Sequence, residues 1–451
     1  MNRARVLWEL YRFPHFVYDD ACHAEALREK RLRRLLLHCW DHSAYYHDAW
    51  QQEGLTREQL RTCPLTALPA IDKQLLMTNY ERIVTDKRLT QEALRRFAEA
   101  DSSGLYAGEY HVVHSSGSTG TPRYFAYDRK AWQAAQCGII RGALFGMRFR
   151  EILRLLRRGP RILYIAATDG RYAGSMAIGE GTASVGGSSL YLDINTPLTE
   201  WPERINAFRP NIIIGYPSAV KILGMLMESG TVRVEAERVI TCGEPLPPAL
   251  RVWLERRFGT AVVNFYGASE SLCIGAEADG SLGLALFDDM NWVEVVDGEM
   301  YLTSLTNYAQ PLVRYHMTDK LTLKPGRASC TVAELLLGRS EDLMWFQSPD
   351  GRREFLHPLA VEGFCVEGLL DYRFVQTASD SFVMEAEISP ESRREAVILE
   401  MRSQLQRLLK EKRMDWVRFE VQAVPQIGPD PRTGKKRLIV PLPGEKAKDE
   451  R

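Results

Sequence analysis

The chain has 451 residues, 45% of them apolar and 26% charged, with 58 Lys and Arg balancing 58 Asp and Glu. That length accommodates about three domains, and the composition is that of a globular protein with a sizeable core. Zero formal net charge, with no run of five or more like charges, excludes a stripe or tail built for nucleic acid or an anionic membrane.

Residues 1 to about 100 read as amphipathic helices. "MNRARVLWELYRF" interrupts its apolar residues with charges and is no secretory signal. "CHAEALREKRLRRLLLHCWDHSAYYHDAW" mixes apolar and charged residues at near-helical spacing. His38 and His42 within it are one helical turn apart, but no Cys or carboxylate set completes a metal site, so a solvated face is the expectation. Short β-rich runs then alternate with helical segments: "YHVVHSS", "RILYIAAT", "PNIIIGYPS", "ERVITCGE" and "AVVNFYG" around helices expected at Arg129–Phe145, Ser218–Ser229 and Pro247–Phe258. Such alternation predicts an α/β architecture with substantial parallel sheet. The most apolar window, Ile212 to Met227, carries Pro217 and Lys221 and falls short of a membrane span.

Beyond about residue 285, "WVEVVDGEMYLTSLT" reads as a hairpin turning at Asp297-Gly298. From about 340, "YRFVQTAS", "SFVMEAEIS" and "VRFEVQAV" surround a helix at Ser392–Lys412, an α+β tail. The boundary falls near Arg339–Asp342, giving segments 1–339 and 340–451. The eight cysteines form no C-x-x-C pair, and reduced thiols in a cytoplasmic protein are the expectation.

The chemistry concentrates in "HSSGSTGTPR". Ser115, Ser116, Gly117, Ser118, Thr119 and Gly120 crowd hydroxyls and glycines between two β-rich runs, and Arg123 follows. Gly117 and Gly120 are too close for the P-loop pattern G-x-x-x-x-G-K-[ST], and no lysine follows Gly120. Glycines let backbone N–H groups wrap an anion, hydroxyls add donors and arginine adds a fixed fork. On the loop alone, a phosphate grip and a plain surface turn both stand.

Company decides between them. "SSGSTGTPR" resembles the phosphate loop [ST]-S-G-[ST]-T-G-x-P-K of the adenylate-forming acyl-ligase superfamily, with Arg123 where that family has lysine. "NFYGASES" resembles its Y-G-x-[ST]-E, "PLVRYHMTDKL" its R-Y-x-x-x-D, "LLGRSEDLM" its G-R-x-x-D and "RTGKKRL" its final G-K loop. The motifs come in the family's order. "LPAIDKQLLMTNY", "GYPSAVKIL" and "TCGEPLPPALRVWLERRFG" are similar to the phenylacetate–coenzyme A ligase branch and its capsular-polysaccharide-associated relatives. The likeness runs from about residue 30 to 440.

The resemblance implies a large multi-lobed adenylating domain with mixed and parallel sheets, followed by a small mobile α+β domain. It implies ATP- and Mg²⁺-dependent activation of a carboxylic acid, expected to be aromatic. The acyl group then passes to a thiol of coenzyme A or a phosphopantetheinyl carrier protein. In that scheme residues 115–120 and Arg123 hold phosphates. Gly243, Glu244 and Pro245 wall the adenine site. Tyr266 and Gly267 lie against the base, Ser269 near the α-phosphate, and Glu270 holds Mg²⁺. Asp319 binds the ribose hydroxyls and Arg339 the ribose or a phosphate, Asp342 is the hinge, and Lys435 is the mobile catalytic lysine. Tyr172, Met176, Tyr216, Pro217 and Ala268 line the acyl pocket. His316 is expected to line the site and His114 to orient the loop. Cys242 and Cys273 flank the nucleotide and would make activity sensitive to alkylation. Related ligases are often dimers, so a homodimer is within the scheme. The departures "AATDGRYAGSMAIG" and "WFQSPDGRREFLHPLAVEG" leave the acid and the acceptor open. Two rival schemes also remain: a non-catalytic nucleotide- or partner-binding relative, and a ligase with an amine acceptor.

Overall fold

The computed structural model describes residues 21–100, 104–114, 123–166, 187–278, 283–317, 319, 321–324, 331–335, 343–357, 361, 366, 368–389, 392–427, 438–440 and 442. From residue 21 to about 100 the chain is helical as expected, with a long helix Ala21–His42, the helix Ala44–Gln52 and several short ones; residues 1–20 lie outside the described residues. Leu32, Leu35, Leu36 and Cys39 of the first helix are fully buried, which gives it one face toward the core.

The central element is a nine-stranded sheet in the order β13-β14-β9-β8-β7-β6-β5-β3-β4. Its parallel half comprises β3 (Arg161–Ala166), β4 (Ser188–Asp193), β5 (Ile212–Gly215), β6 (Arg238–Cys242) and β7 (Val262–Ala268). The other half is antiparallel: β8 (Ser271–Glu277), β9 (Leu284–Leu286), β13 (Leu321–Lys324) and β14 (Val332–Leu335). β5 is covered on both faces, which is why it reads as an unbroken apolar run; Ile212 to Gly215 are all buried. Helices form close to the expected positions, at Arg129–Ala143, Pro217–Glu228 and Pro248–Phe258. Pro217 and Pro248 stand at N1, where a missing N–H costs nothing.

One departure matters. β1 (His111–His114), expected among the alternating strands, does not join this sheet. It pairs antiparallel with β2 (Tyr124–Tyr127) in a separate hairpin. That hairpin is pinned from outside. Gln310 Oε1 accepts the Ala126 N–H at 2.8 Å, and Asn307 Nδ2 donates to the Ala126 carbonyl at 3.0 Å. The Gly/Ser/Thr loop between the two strands lies outside the described residues.

A three-stranded sheet joins β10 (Asn291–Val296), β11 (Glu299–Ser304) and β12 (Tyr315–Met317). Its first hairpin turns at Asp297 (φ 52°) and Gly298 (φ 78°), the two left-handed positions of a two-residue turn. Next come a ribbon, β15 (Met344–Gln347) with β16 (Arg353–Leu356), and a four-stranded sheet of β17 (Leu369–Ala378), β18 (Ser381–Ile388), β19 (Arg418–Val424) and β20 (Ile439–Val440). The helix Arg394–Glu411 buries Val397, Met401, Leu405, Leu408 and Leu409 in the core beside that sheet. Among the described residues no helix is long and apolar enough to cross a membrane.

Candidate active site

In open α/β sheets ligands bind beyond the C-terminal ends of parallel strands. Here three neighbouring strands end on predicted site residues: β5 on Tyr216 and Pro217, β6 on Gly243–Glu244–Pro245, and β7 on Ser269–Glu270. Two glycines are there for steric reasons. Gly243 has φ +79°, and a Cβ on it would lie 2.7 Å from the Tyr216 ring. A Cβ on Gly267 would lie 2.4 Å from the Leu272 carbonyl oxygen, at the irregularity in the β7–β8 pairing.

Glu270 is 7% exposed, and its Oε1 accepts from Arg123 Nη1 at 3.0 Å. The same nitrogen donates to the Tyr315 hydroxyl oxygen at 2.6 Å. Burial pushes the Glu270 carboxyl above its usual range, and the Arg123 charge opposes that shift. Tyr315 is placed by a bridge to Ile71, whose neighbour Asp72 caps the helix Lys73–Thr78 through the Leu75 N–H at 2.7 Å. Lys73, at the start of that helix, is held below its usual value by burial and by Arg123, against the pull of Glu270. Glu270 is thus faced by two cations. Ser269 is held by its backbone, its carbonyl accepting from the Tyr127 hydroxyl at 2.6 Å, and its own hydroxyl donates to the His114 carbonyl at 3.2 Å.

Beside this pair, the Tyr266 hydroxyl donates to Asp319 Oδ2 at 3.0 Å. Burial raises the Asp319 carboxyl and the tyrosine partly offsets it. The expected ribose acceptor and the expected adenine neighbour therefore touch, although 53 residues separate them in sequence.

Comparison with known proteins finds adenylating enzymes and acid–coenzyme A ligases. The AMP-binding enzyme family matches residues 109–299. The phenylacetate–coenzyme A ligase of Aromatoleum evansii is 24% identical over 403 residues, covering 81% of this chain and 82% of that protein. That of Escherichia coli K12 is 24% identical, covering 71% and 72%. Among solved structures, 2-hydroxyisobutyryl-CoA ligase in the thioesterification state, with 2-HIB-AMP and CoA, superposes with a TM-score of 0.61 at 19% identity. It covers 97% of this chain and 94% of that one; at that identity the likeness is one of fold.

The chain thus matches the AMP-binding enzyme family over its middle and is similar to phenylacetate–coenzyme A ligases along most of its length.

The structure brings Arg123, Glu270, Ser269, Tyr266, Gly267, Ala268 and Asp319 to the C-terminal end of β7, and Tyr216, Pro217 and Gly243–Pro245 to the adjoining strand ends. Ser115–Gly120, Tyr172, Met176, Arg339, Asp342 and Lys435 lie outside the described residues.

Several expectations of the sequence are revised. His38 and His42 do stack, at 4.3 Å between centroids, but half-buried His38 bonds the Tyr308 carbonyl at 3.1 Å instead of facing solvent. His316 pairs with Glu299 at 3.2 Å, on the strand pair β11–β12. His114 acts on Ser269 through its backbone carbonyl. Burial pushes the Cys242 and Cys273 thiols up to about 12, which disfavours the reactive thiolate at both; Cys273 is buried and Cys242 partly exposed.

Sequence reasoning missed four residues of the site. Tyr315 sits inside "RYHMTD" and was legible as part of that motif. Lys73 and Ser218 stand inside "LPAIDKQLLMTNY" and "GYPSAVKIL" without a feature that singles them out, and His357 carries no local mark. Ser218 donates its hydroxyl to Glu244 Oε1 at 2.9 Å and its N–H to Oε2 at 3.1 Å. His357, fully buried, approaches the same carboxylate at 2.6 Å.

Proposed function

We propose that this chain activates a carboxylic acid with ATP and passes the acyl group to the thiol of coenzyme A. In the first step a carboxylate oxygen bonds to the α-phosphorus, the bond to the β-phosphate breaks and pyrophosphate leaves. In the second the sulfur bonds to the acyl carbon, the thiol proton leaves, and the bond to AMP breaks. Both steps gather negative charge, so donors and cations must be in place beforehand.

The reading rests above all on the convergence of Arg123–Glu270 and Tyr266–Asp319 at the end of β7. Asp319 would take the ribose hydroxyls, with Tyr266 fixing the carboxylate and lying against the base. Arg123 and Lys73 would face the phosphates, with Ser115–Gly120 supplying the loop and Ser269 the α-phosphate contact. Glu270 would hold Mg²⁺. Among the described residues no cluster of three or more His, Cys, Asp or Glu could hold an ion by itself. A single carboxylate suits magnesium, which keeps waters and shares phosphate oxygens; the ion would neutralise charge on those oxygens. Arg339, the Asp342 hinge and Lys435 complete the scheme, with residues 340–451 as the mobile domain of a cytoplasmic enzyme.

The acid is aromatic in this reading, following the phenylacetate ligases, with Tyr216, Pro217 and Ala268 along its pocket. ATP–pyrophosphate exchange with a panel of aryl and arylacetic acids tests it. Exchange with one or more acids is expected, and its absence throughout, with no ATP binding, refutes it.

A further inference from the structure

The β15–β16 ribbon is a wall with two faces. Met344, Phe346 and Leu356 belong to the core of the C-terminal sheet, whereas Trp345 and Phe355 pack with the core of the large sheet. This is the two-residue alternation of strands. His357, two positions after Phe355, continues on the face toward the large sheet. It is 0% exposed. Its Nε2 lies 2.6 Å from Glu244 Oε1 and 2.9 Å from Ser218 Oγ, and its ring stacks on Tyr216 with centroids 5.1 Å apart.

A proton on Nε2 satisfies the cluster. It is shared between Glu244 and Ser218, while the Ser218 hydroxyl donates to Glu244. The names Ser, His and Glu suggest a hydrolytic triad, but such a triad needs the acid and the nucleophile on opposite ring nitrogens. Here one nitrogen meets both. The cluster serves the wall. Helix Pro217–Glu228 has no side-chain cap from its N-cap residue Tyr216, and Glu244 accepts the Ser218 N–H in its place.

The ribbon that carries His357 is seated by other buried polar contacts. Glu354 Oε2 accepts the Leu198 N–H at 2.6 Å, and Lys412, itself 0% exposed on its side chain, donates to the Ile194 carbonyl at 2.8 Å. Half-satisfied buried polar groups are costly, so the seat is made whole or not at all.

We infer that His357 is a positioning residue for nucleotide binding. It fixes the Glu244 carboxylate and the Tyr216 ring, so that the wall beyond β5 and β6 is complete only when the β15–β16 ribbon is seated. This rests on the reading that Gly243–Pro245 borders the nucleotide.

The test uses the full-length chain. His357→Phe keeps the ring volume and the stack on Tyr216 but donates nothing; His357→Gln keeps a donor. Calorimetry with Mg-ATP should show the Phe variant binding about tenfold more weakly and the Gln variant recovering most of the loss. In pyrophosphate exchange the Phe variant should raise KM for ATP with kcat nearly unchanged. ATP binding by the Phe variant equal to wild type overturns the role. So does an equal loss in both variants, which would mark a packing residue. If the wild type binds ATP but exchanges pyrophosphate with no acid, the ligase reading falls, and calorimetry still decides the role of His357.

Discussion

Arg123→Met isolates the pair at the centre of the site. In the wild type a guanidinium with 19% side-chain exposure lies 3.0 Å from a carboxylate with 8%. At an effective dielectric constant near 20, that distance corresponds to a gross attraction of about 5 kcal/mol. Deleting the cation leaves Glu270 buried and without its nearest positive charge, which costs about 3–5 kcal/mol. The sign with pH follows from Glu270. Its carboxyl is already raised by burial and loses the largest influence holding it down. A carboxyl raised in the folded state is a burden above that raised value, and the burden lifts as pH falls through it and the group protonates. The deficit of the variant should therefore be largest near pH 8 and shrink toward pH 5. Guanidinium unfolding followed by tryptophan fluorescence measures it, with Arg123→Met/Glu270→Gln alongside; that double variant should recover most of the loss. A deficit below about 0.5 kcal/mol, or one that does not change between the two pH values, would refute the reasoning.

Three further outcomes are expected. Tyr266→Phe removes the 3.0 Å hydrogen bond to Asp319 and should weaken ATP binding by roughly tenfold in calorimetry, since hydrogen bonds to charged groups are worth about 1.5–3 kcal/mol. Gly243→Ala meets both a positive φ and the Tyr216 ring at 2.7 Å, whereas Gly230→Ala meets a positive φ of 75° with nothing within 4 Å. The first should lower both the melting temperature and ATP affinity, the second only the melting temperature, by about 1 kcal/mol of stability. Native protein treated with iodoacetamide near pH 8 should show Cys242 and Cys273 unmodified by mass spectrometry, because thiols pushed up to about 12 hold almost no thiolate there.

What could be read in the sequence had a local physical cause. The turn at Asp297-Gly298 was legible because both residues must take a left-handed backbone, which Asp and Gly tolerate best. The strand Ile212–Gly215 was legible because burial on both faces leaves no polar position in it. β1 looked like another such strand, with Val112 and Val113 fully buried, but a strand does not encode which partner it pairs with. The return of the chain at β2 and the grip of Asn307 and Gln310 settle that.

The cysteines show the same limit from the other side. Their nearness in sequence to "GEP" and "YGASES" is real, but reactivity depends on burial, and burial is set by strands far away.

His357 carried the least signal of all. It meets Ser218 across 139 residues of chain and stands in a stretch that matches no motif. Arg123 lies between these cases. The sequence gives away that an arginine stands at a position for lysine, because the motif around it is intact. It cannot reveal that a single Nη1 serves both Glu270 and Tyr315. That sharing has a consequence for the substitution itself. A lysine ammonium at position 123 could meet the carboxylate as a point charge, but it lacks the planar fork that leaves further N–H groups directed elsewhere. Arg123→Lys should therefore keep much of the ion pair while losing any phosphate contact made by the rest of the fork. The arginine is then better understood as one residue bridging two parts of the site than as a conservative replacement for lysine.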